Sequence, residues 1–288
     1  MRDLRVAAVS MRSETGEIEK NLERTAFYVT KAAEMGADVI CFPELSITGY
    51  TLTNPASIYG PWNPDEIAER IDGLARDKGL MILYGMVDLS ELEKPYIVQV
   101  VVGPHGRLGS YRKTHLSPAE REIYAAGHEM GIFSHQEVTF GIQLCYESHF
   151  PELSTLMALR GVEVIFFPHA SPRGKPEEKM ESWMRHLPSR AFDNGLFVVA
   201  CNQVGDNKEG LSFPGVVLAL NPAGRLIEAH KGKRERMILV ELSRDVLDEI
   251  RGHRMKYFLP NRRPELYGDI VERRKAQGIR LKGNRRFN

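Results

Sequence analysis

Short apolar runs alternate with amphipathic helical stretches from the first residues of this chain, and that alternation limits its fold more than any other feature. Residues 4–10 read as a buried strand. Leu22, Ala26, Val29 and Ala33 recur at helical spacing, so a helix is predicted over 22–35, capped by Asn21 and closed by Gly36. Residues 37–42, apolar except for Asp38, are short enough to be a strand buried on both faces. The chain therefore opens β-α-β. A helix over 65–78, a strand over 80–87 and a strand over 138–145 continue the pattern. A helix over 150–159, ended by Gly161, leads to a strand over 164–167. A long helix over 177–194, with Pro188 as a kink point, leads to a strand over 196–201. Two hairpins interrupt the alternation. Strands 96–102 and 107–113 flank Gly103-Pro104-His105-Gly106, and strands 212–220 and 226–230 flank Asn221-Pro222-Ala223-Gly224. A strand over 237–242 and a helix over 244–250 close the series. Two sheets covered by helices account for this mixture better than one parallel sheet.

No Pro-rich or Ser-rich linker and no fixed-period repeat divides the chain. One domain over 1–255 and an extended tail over 256–288 is the simplest organisation, with Pro260 and Pro264 favouring the extended path. The basic stretch from Arg273 to Arg286 reads as a solvated arm.

Composition excludes several classes. Lys and Arg number 39 against 38 Asp and Glu, so charge gives no case for nucleic acid or an anionic membrane as partner. No apolar run approaches the roughly 18 residues that span a bilayer, and no secretory signal opens the chain. The 3 cysteines lack close spacing, which argues for a reducing compartment, the cytoplasm by default, and against a disulfide framework or a zinc site. Neither a metal nor another cofactor is expected.

Three segments place a reactive side chain at or just past the end of a strand-like run: Cys41-Phe42-Pro43-Glu44, Tyr111-Arg112-Lys113-Thr114-His115-Leu116 and Gly141-Ile142-Gln143-Leu144-Cys145-Tyr146-Glu147. Taken alone, a cysteine ending an apolar strand is more often a small buried hydrophobe than a nucleophile. Cys145 differs because polar and turn-forming residues follow it, from Tyr146 to Glu152. It sits at a strand–turn–helix junction, where a helix N-terminus would also favour the thiolate. Cys41 and Cys201 lack that setting and read as core. Glu44 is either a solvated loop or capping carboxylate, or a general base held near a thiol. Lys113 is either part of a solvated strand face or a cation that stabilises an oxyanion.

Together these segments, in the order Glu–Lys–Cys, resemble the nitrilase superfamily of carbon–nitrogen hydrolases. The resemblance runs from about Leu4 to Tyr267. It includes Thr48-Gly49-Tyr50, Ser189-Arg190-Ala191-Phe192-Asp193-Asn194, Asn202 and Pro222-Ala223-Gly224. It implies an α/β fold, a four-layer α-β-β-α sandwich with two mixed sheets. It also implies a homodimer, paired through the helices over 150–159 and 177–194, with the tail crossing to the partner subunit.

The chemistry implied is attack by Cys145 on an amide, carbamoyl or nitrile carbon, with Glu44 taking the thiol proton. Lys113 and the backbone N–H of Tyr146 would hold the oxyanion. A second glutamate would orient Lys113. Glu120, seven residues before Gly127, is preferred over Glu122 for that place. Glu147 reads as support for the turn, and Arg190, Asp193 and Asn194 as framework. Tyr50, His149 and the loop from Pro168 to Arg173, including His169, would wall the substrate pocket.

Cys-Tyr-Glu followed by Phe150-Pro151-Glu152 looks more like the amidase and carbamoylase branches than a true nitrilase. Ser148 and His149 stand where D-carbamoylases carry arginine, so a guanidinium fork is missing, which argues against an α-carboxylate substrate. The expected partner is a small amide or carbamoyl molecule. A nitrile-hydrolysing, an acyl-transferring and a non-catalytic member of the same fold remain the alternatives.

Overall fold

A computed structural model describes residues 1–90, 93–135 and 137–271. The first half runs β1 (Leu4–Ser10), α1 (Ile18–Glu34), β2 (Val39–Cys41), α2 (Pro64–Lys78), β3 (Met81–Asp88), β4 (Tyr96–Gly103), β5 (Gly106–Arg112), α3 (Glu120–Ile123) and β6 (Gly131–His135). The second half begins with β7 (Val138–Ile142), α4 (Pro151–Leu159), β8 (Val164–His169), α5 (Pro176–Met184), α6 (Leu187–Asn194) and β9 (Phe197–Asn202). It continues through β10 (Gly205–Asp206), β11 (Ser212–Phe213), β12 (Gly215–Leu220), β13 (Leu226–Gly232) and β14 (Arg236–Leu242). Helices α7 (Arg244–Arg251) and α8 (Gly268–Val271) follow.

Two six-stranded mixed sheets form, ordered β14-β1-β2-β3-β4-β5 and β13-β12-β9-β8-β7-β6. They pack face to face through β1, β9, β12 and β14, with α1 and α2 outside one sheet and α4, α5 and α6 outside the other. The chain is thus an α-β-β-α sandwich. Strand β8 shows why its sequence is continuously apolar. Val164 and Phe166 join the core between the sheets, whereas Ile165 and Phe167 pack under the helices with Trp183, Leu187 and Ala191. Among the described residues no helix is long and apolar enough to cross a membrane.

The two sheets share one pairing scheme. From β14 to β5 the neighbours are antiparallel, parallel, parallel, antiparallel and antiparallel, and from β6 to β13 the same succession recurs. Each half sends its last strand away. Strand β6 ends the first half and pairs with β7 of the second, while β14 ends the second and pairs with β1.

Several local expectations change. Asn21 does not cap the first helix, which starts a turn earlier; its buried amide instead bonds the backbone of Glu14 and Ile47. The stretch 177–194 is two helices, because His186 leaves helical geometry at φ −130° and the second starts at Leu187, with Pro188 in its first turn. The strand expected over 212–220 breaks at Pro214 into β11 and β12. The strand expected to reach Cys145 ends at Ile142. Strand β6, with only Ile132 and Phe133 as large apolar residues, carried too little pattern to be read. After α7 the chain makes single 3-10 turns at Leu259–Asn261 and Pro264–Leu266 before α8. The basic stretch from Arg273 lies outside the described residues.

Candidate active site

The three segments meet at one end of the sandwich because each leaves a central or edge strand there. Glu44 follows β2, and its loop lies directly on β3. Ile47 donates its N–H to Gly85 O at 2.9 Å, and Gly85 donates to Ser46 Oγ at 3.0 Å. A Cβ on Gly85 would sit 2.2 Å from the Leu45 nitrogen, so only glycine admits this approach. Gln203 Nε2 donates to the Glu44 carbonyl at 2.8 Å, which fixes the loop from the other sheet.

Lys113 leaves β5 with its side chain fully buried. Its ammonium donates to Glu44 Oε1 at 2.7 Å and to Glu120 Oε1 and Oε2 at 2.9 and 3.1 Å. Glu44 Oε2 accepts the Ala170 N–H at 2.9 Å. Glu120, at the start of α3, is held by the Ser117 N–H at 2.7 Å and the Tyr50 hydroxyl at 3.4 Å. Glu122 faces solvent on the same short helix. The geometry therefore puts Glu120, not Glu122, against Lys113.

Cys145 opens a 3-10 turn over Cys145–His149 with φ 42°, a left-handed conformation unusual for a residue with a side chain. Such strain persists only where the surroundings over-determine it. Glu147 supplies much of that constraint. Its Oε1 accepts from Tyr111 Oη at 2.7 Å, Thr114 N at 2.8 Å, Thr114 Oγ1 at 2.6 Å and His115 N at 3.0 Å. Its Oε2 accepts from Leu144 N at 2.6 Å. One buried carboxylate thus ties the lysine segment to the cysteine turn, in keeping with the support role read from its position. Arg190 Nε donates to the Ser148 carbonyl at 3.1 Å and closes the turn from α6.

Charge is arranged unevenly. Burial pushes the Glu44 carboxyl up to about 7, against the pull of Lys113. Burial also opposes the charge on Lys113, yet Glu44 and Glu120 outweigh it and hold the ammonium well above its ordinary range. Burial works against the Glu120 charge too, and Lys113 overcomes it, leaving that carboxyl lowered. The Cys145 thiol is pushed up to about 12 by burial and by Glu44, with Lys113 opposing. The expectation of a thiolate favoured by a helix N-terminus is therefore corrected. The α-helix begins only at Pro151, beyond the turn, and the proton rests on sulfur. Cys41 and Cys201 are fully buried core residues, their sulfurs 4.0 Å apart between the sheets.

A cleft of about 210 Å³ opens onto Cys145 and Glu120. Tyr50, Tyr146, His149 and His169 all line it, together with Ala170, Ser171 and Pro172 of the anticipated loop, whereas Pro168 and Arg173 at the ends of that loop do not. His169 Nδ1 bonds the Phe167 carbonyl at 2.8 Å, its ring lies 4.3 Å from Trp183, and burial holds its pKa well below the ordinary value. His149 is lowered by burial, and so is His186, to about 4. The imidazoles of the cleft are therefore neutral. Lys179, Trp183 and His186 also line it and went unrecognised in the sequence. Lys179 sits among Glu177, Glu178 and Glu181, a charge pattern shared with any solvated helix turn. Among the described residues no cluster of His, Cys, Asp and Glu is arranged to hold a metal ion.

Comparison with known proteins places this geometry. The family profile for carbon–nitrogen hydrolases matches residues 5–252. A Pyrococcus abyssi protein named nitrilase is 28% identical over 275 residues, spanning 92% of this chain and 99% of its own length. An (R)-stereoselective amidase from a Pseudomonas species is 29% identical over 281 residues, 93% of this chain and 95% of the relative. The structure of an amidase from Nesterenkonia superposes with a TM-score of 0.79 at 24% identity, over 93% of this chain and 97% of that one, a likeness of fold.

Proposed function

The chain belongs to the carbon–nitrogen hydrolase family, and from that premise we propose that it cleaves an amide or N-carbamoyl bond of a small molecule through a thioester on Cys145. The observation that carries this reading is the buried Glu44–Lys113–Glu120 array beside a strained cysteine in an open cleft. The amidase among its relatives supports it.

The thiol is neutral at rest, so attack and proton loss occur together. Glu44, balanced near neutrality, takes the proton from Cys145 as sulfur closes on the substrate carbon. Lys113 and the Tyr146 N–H receive the oxyanion. Glu44 then passes the proton to the departing ammonia or amine and later accepts one from the water that hydrolyses the thioester. Glu120 keeps Lys113 aimed and charged. Tyr50, His149 and His169 form the substrate wall.

A base must be ionised to act. The rate constant kcat/KM is therefore expected to rise with pH through about 7 and to level above it, since acid protonates Glu44. Ammonia release from a panel of aliphatic amides, carbamoyl amines and nitriles, followed across pH, tests both the bond type and the base. A profile flat through neutrality removes Glu44 from that role. Consumption of nitriles alone would favour the second reading, a nitrilase, which the Pyrococcus relative's name suggests.

The same reading makes the protein a homodimer in the cytoplasm, with 1–255 as the catalytic domain and the tail against the partner subunit. Leu156 and Leu159 on α4, Phe192 on α6 and Phe258 beside it are exposed apolar side chains that pairing would cover. Sedimentation is expected to give a dimer, and Leu156→Glu with Phe192→Glu to give monomers; a monomeric wild type would refute the pairing.

A further inference from the structure

Lys179 projects from the first turn of α5 into the cleft that holds Cys145. Its Nζ donates to Ser171 Oγ at 2.6 Å and reaches the Pro172 carbonyl at 3.5 Å. Among the described residues it forms no ion pair: both neighbours are uncharged oxygens. This is unlike Lys113, whose ammonium is enclosed by two carboxylates. Burial lowers the Lys179 pKa, and the Cys145 sulfur, the one nearby group that could offset this by ionising, keeps its proton. An ammonium has thus lost water without gaining an anion, an arrangement that costs stability unless a ligand completes it.

The rest of that wall cannot compensate it. His149 and His186 are neutral, their rings 4.7 Å apart, and Ser148 Oγ lies 3.2 Å from His186 Nε2. Serine hydroxyls and neutral imidazoles can orient an anion by hydrogen bonds but bring no negative charge of their own. The other cation near Cys145, Lys113, is already paired with Glu44 and Glu120. The cleft therefore has one positive pole without an ionic partner, on α5.

From this we infer that Lys179 binds a carboxylate at the distal end of the substrate, so that the protein acts on short amides or carbamoyl compounds that also carry an acid group. The inference rests on the amidase reading and deepens it. It also answers the missing arginine after the cysteine: the cation comes from α5 instead, and as an ammonium it accepts a carboxylate without demanding a bidentate fork. The small cleft restricts the spacer between amide and acid to a few carbons.

Succinamate and isocaproamide test this directly, because an isopropyl group in the second replaces the carboxylate of the first at matched shape. Wild-type protein is expected to favour succinamate at least tenfold in kcat/KM, chiefly through KM. Lys179→Met should reduce that ratio at least tenfold, and Lys179→Arg should keep part of it. Calorimetry with succinamate in a Cys145→Ala background, with and without Lys179→Met, reads the same contact without turnover and should show at least tenfold weaker binding for the double variant. Matching thermal unfolding of the variants excludes misfolding as the cause. No preference for succinamate in the wild type, or a ratio unchanged in Lys179→Met, overturns the inference while cysteine-dependent cleavage of isocaproamide leaves the amidase reading intact. If neither amide is cleaved, the amide half of that reading fails, and calorimetry still decides the role of Lys179.

Discussion

Cys145→Ala is expected to lower amide turnover by on the order of a hundred-thousandfold or more, leaving the fold intact. The reason is local. No other thiol reaches the cleft, since Cys41 and Cys201 are sealed in the core. The turn that presents Cys145 holds φ at 42°, and alanine accepts that backbone no better than cysteine, so the Glu147 network must still impose it. The side chain is small, and its removal opens space toward the cleft rather than inside the core. Thermal unfolding should thus move little while ammonia release disappears. Mass measurement after a rapid quench adds a separate readout: an acyl adduct on the wild type and none on the variant. Turnover within about a hundredfold of wild type would place the nucleophile elsewhere.

Lys113→Met should damage both catalysis and stability. Methionine matches the length of the stem but leaves Glu44 and Glu120 facing each other without a cation. Removing one partner of a buried ion pair costs about 3–5 kcal/mol, a fall in Tm on the order of 10 °C for a domain of this size. The sign of the electrostatic change is fixed. Lys113 lowers both carboxyls, so without it both move up, and at neutral pH Glu44 holds a proton it should be ready to accept. Loss of an oxyanion donor alone lowers turnover roughly a hundred- to a thousandfold. Loss of the ionised base adds to it, and the acid limb of the rate profile should shift to higher pH. Lys113→Arg is not a rescue, because a planar fork cannot occupy a fully enclosed site shaped for an ammonium. A variant with normal Tm and a merely halved rate would contradict the role given to Lys113.

The candidate site was legible where chemistry interrupts pattern. Glu44, Lys113 and Cys145 stand out because a buried strand has no reason to end on a carboxylate, an ammonium or a thiol followed by polar residues. Family likeness then supplied Glu120, and three-dimensional placement separates it from Glu122: a single turn of helix buries the first and turns the second to water. Lys179 was not legible, because a lysine among glutamates on a helix looks solvated until packing rotates it inward. Asn21 shows the converse failure. An asparagine ahead of an apolar helical run signals a cap, but this one is buried in the first turn of the helix and serves neighbouring loops. The break at His186 was softened into a kink for a similar reason, since proline marks a place of interruption without saying whether a helix bends or restarts. The matched pairing of the two sheets left no trace as a repeat, because equal strand order needs only alternating apolar runs, not equal residues.

The exchange of last strands between the halves has a consequence for how the protein comes into being. On the ribosome β1 emerges first, yet its outer edge stays open until β14 arrives more than 200 residues later. During that interval the nascent chain presents an unpaired strand edge, a template for joining other chains. The first half cannot close by itself, because it has sent β6 to a sheet not yet made. Synthesis is thus a single wager on completion: a chain stopped before Arg236 has the nucleophile and its partners but lacks the strand that seals the sheet beneath Glu44, and it is a substrate for chaperones or proteases rather than a weak enzyme.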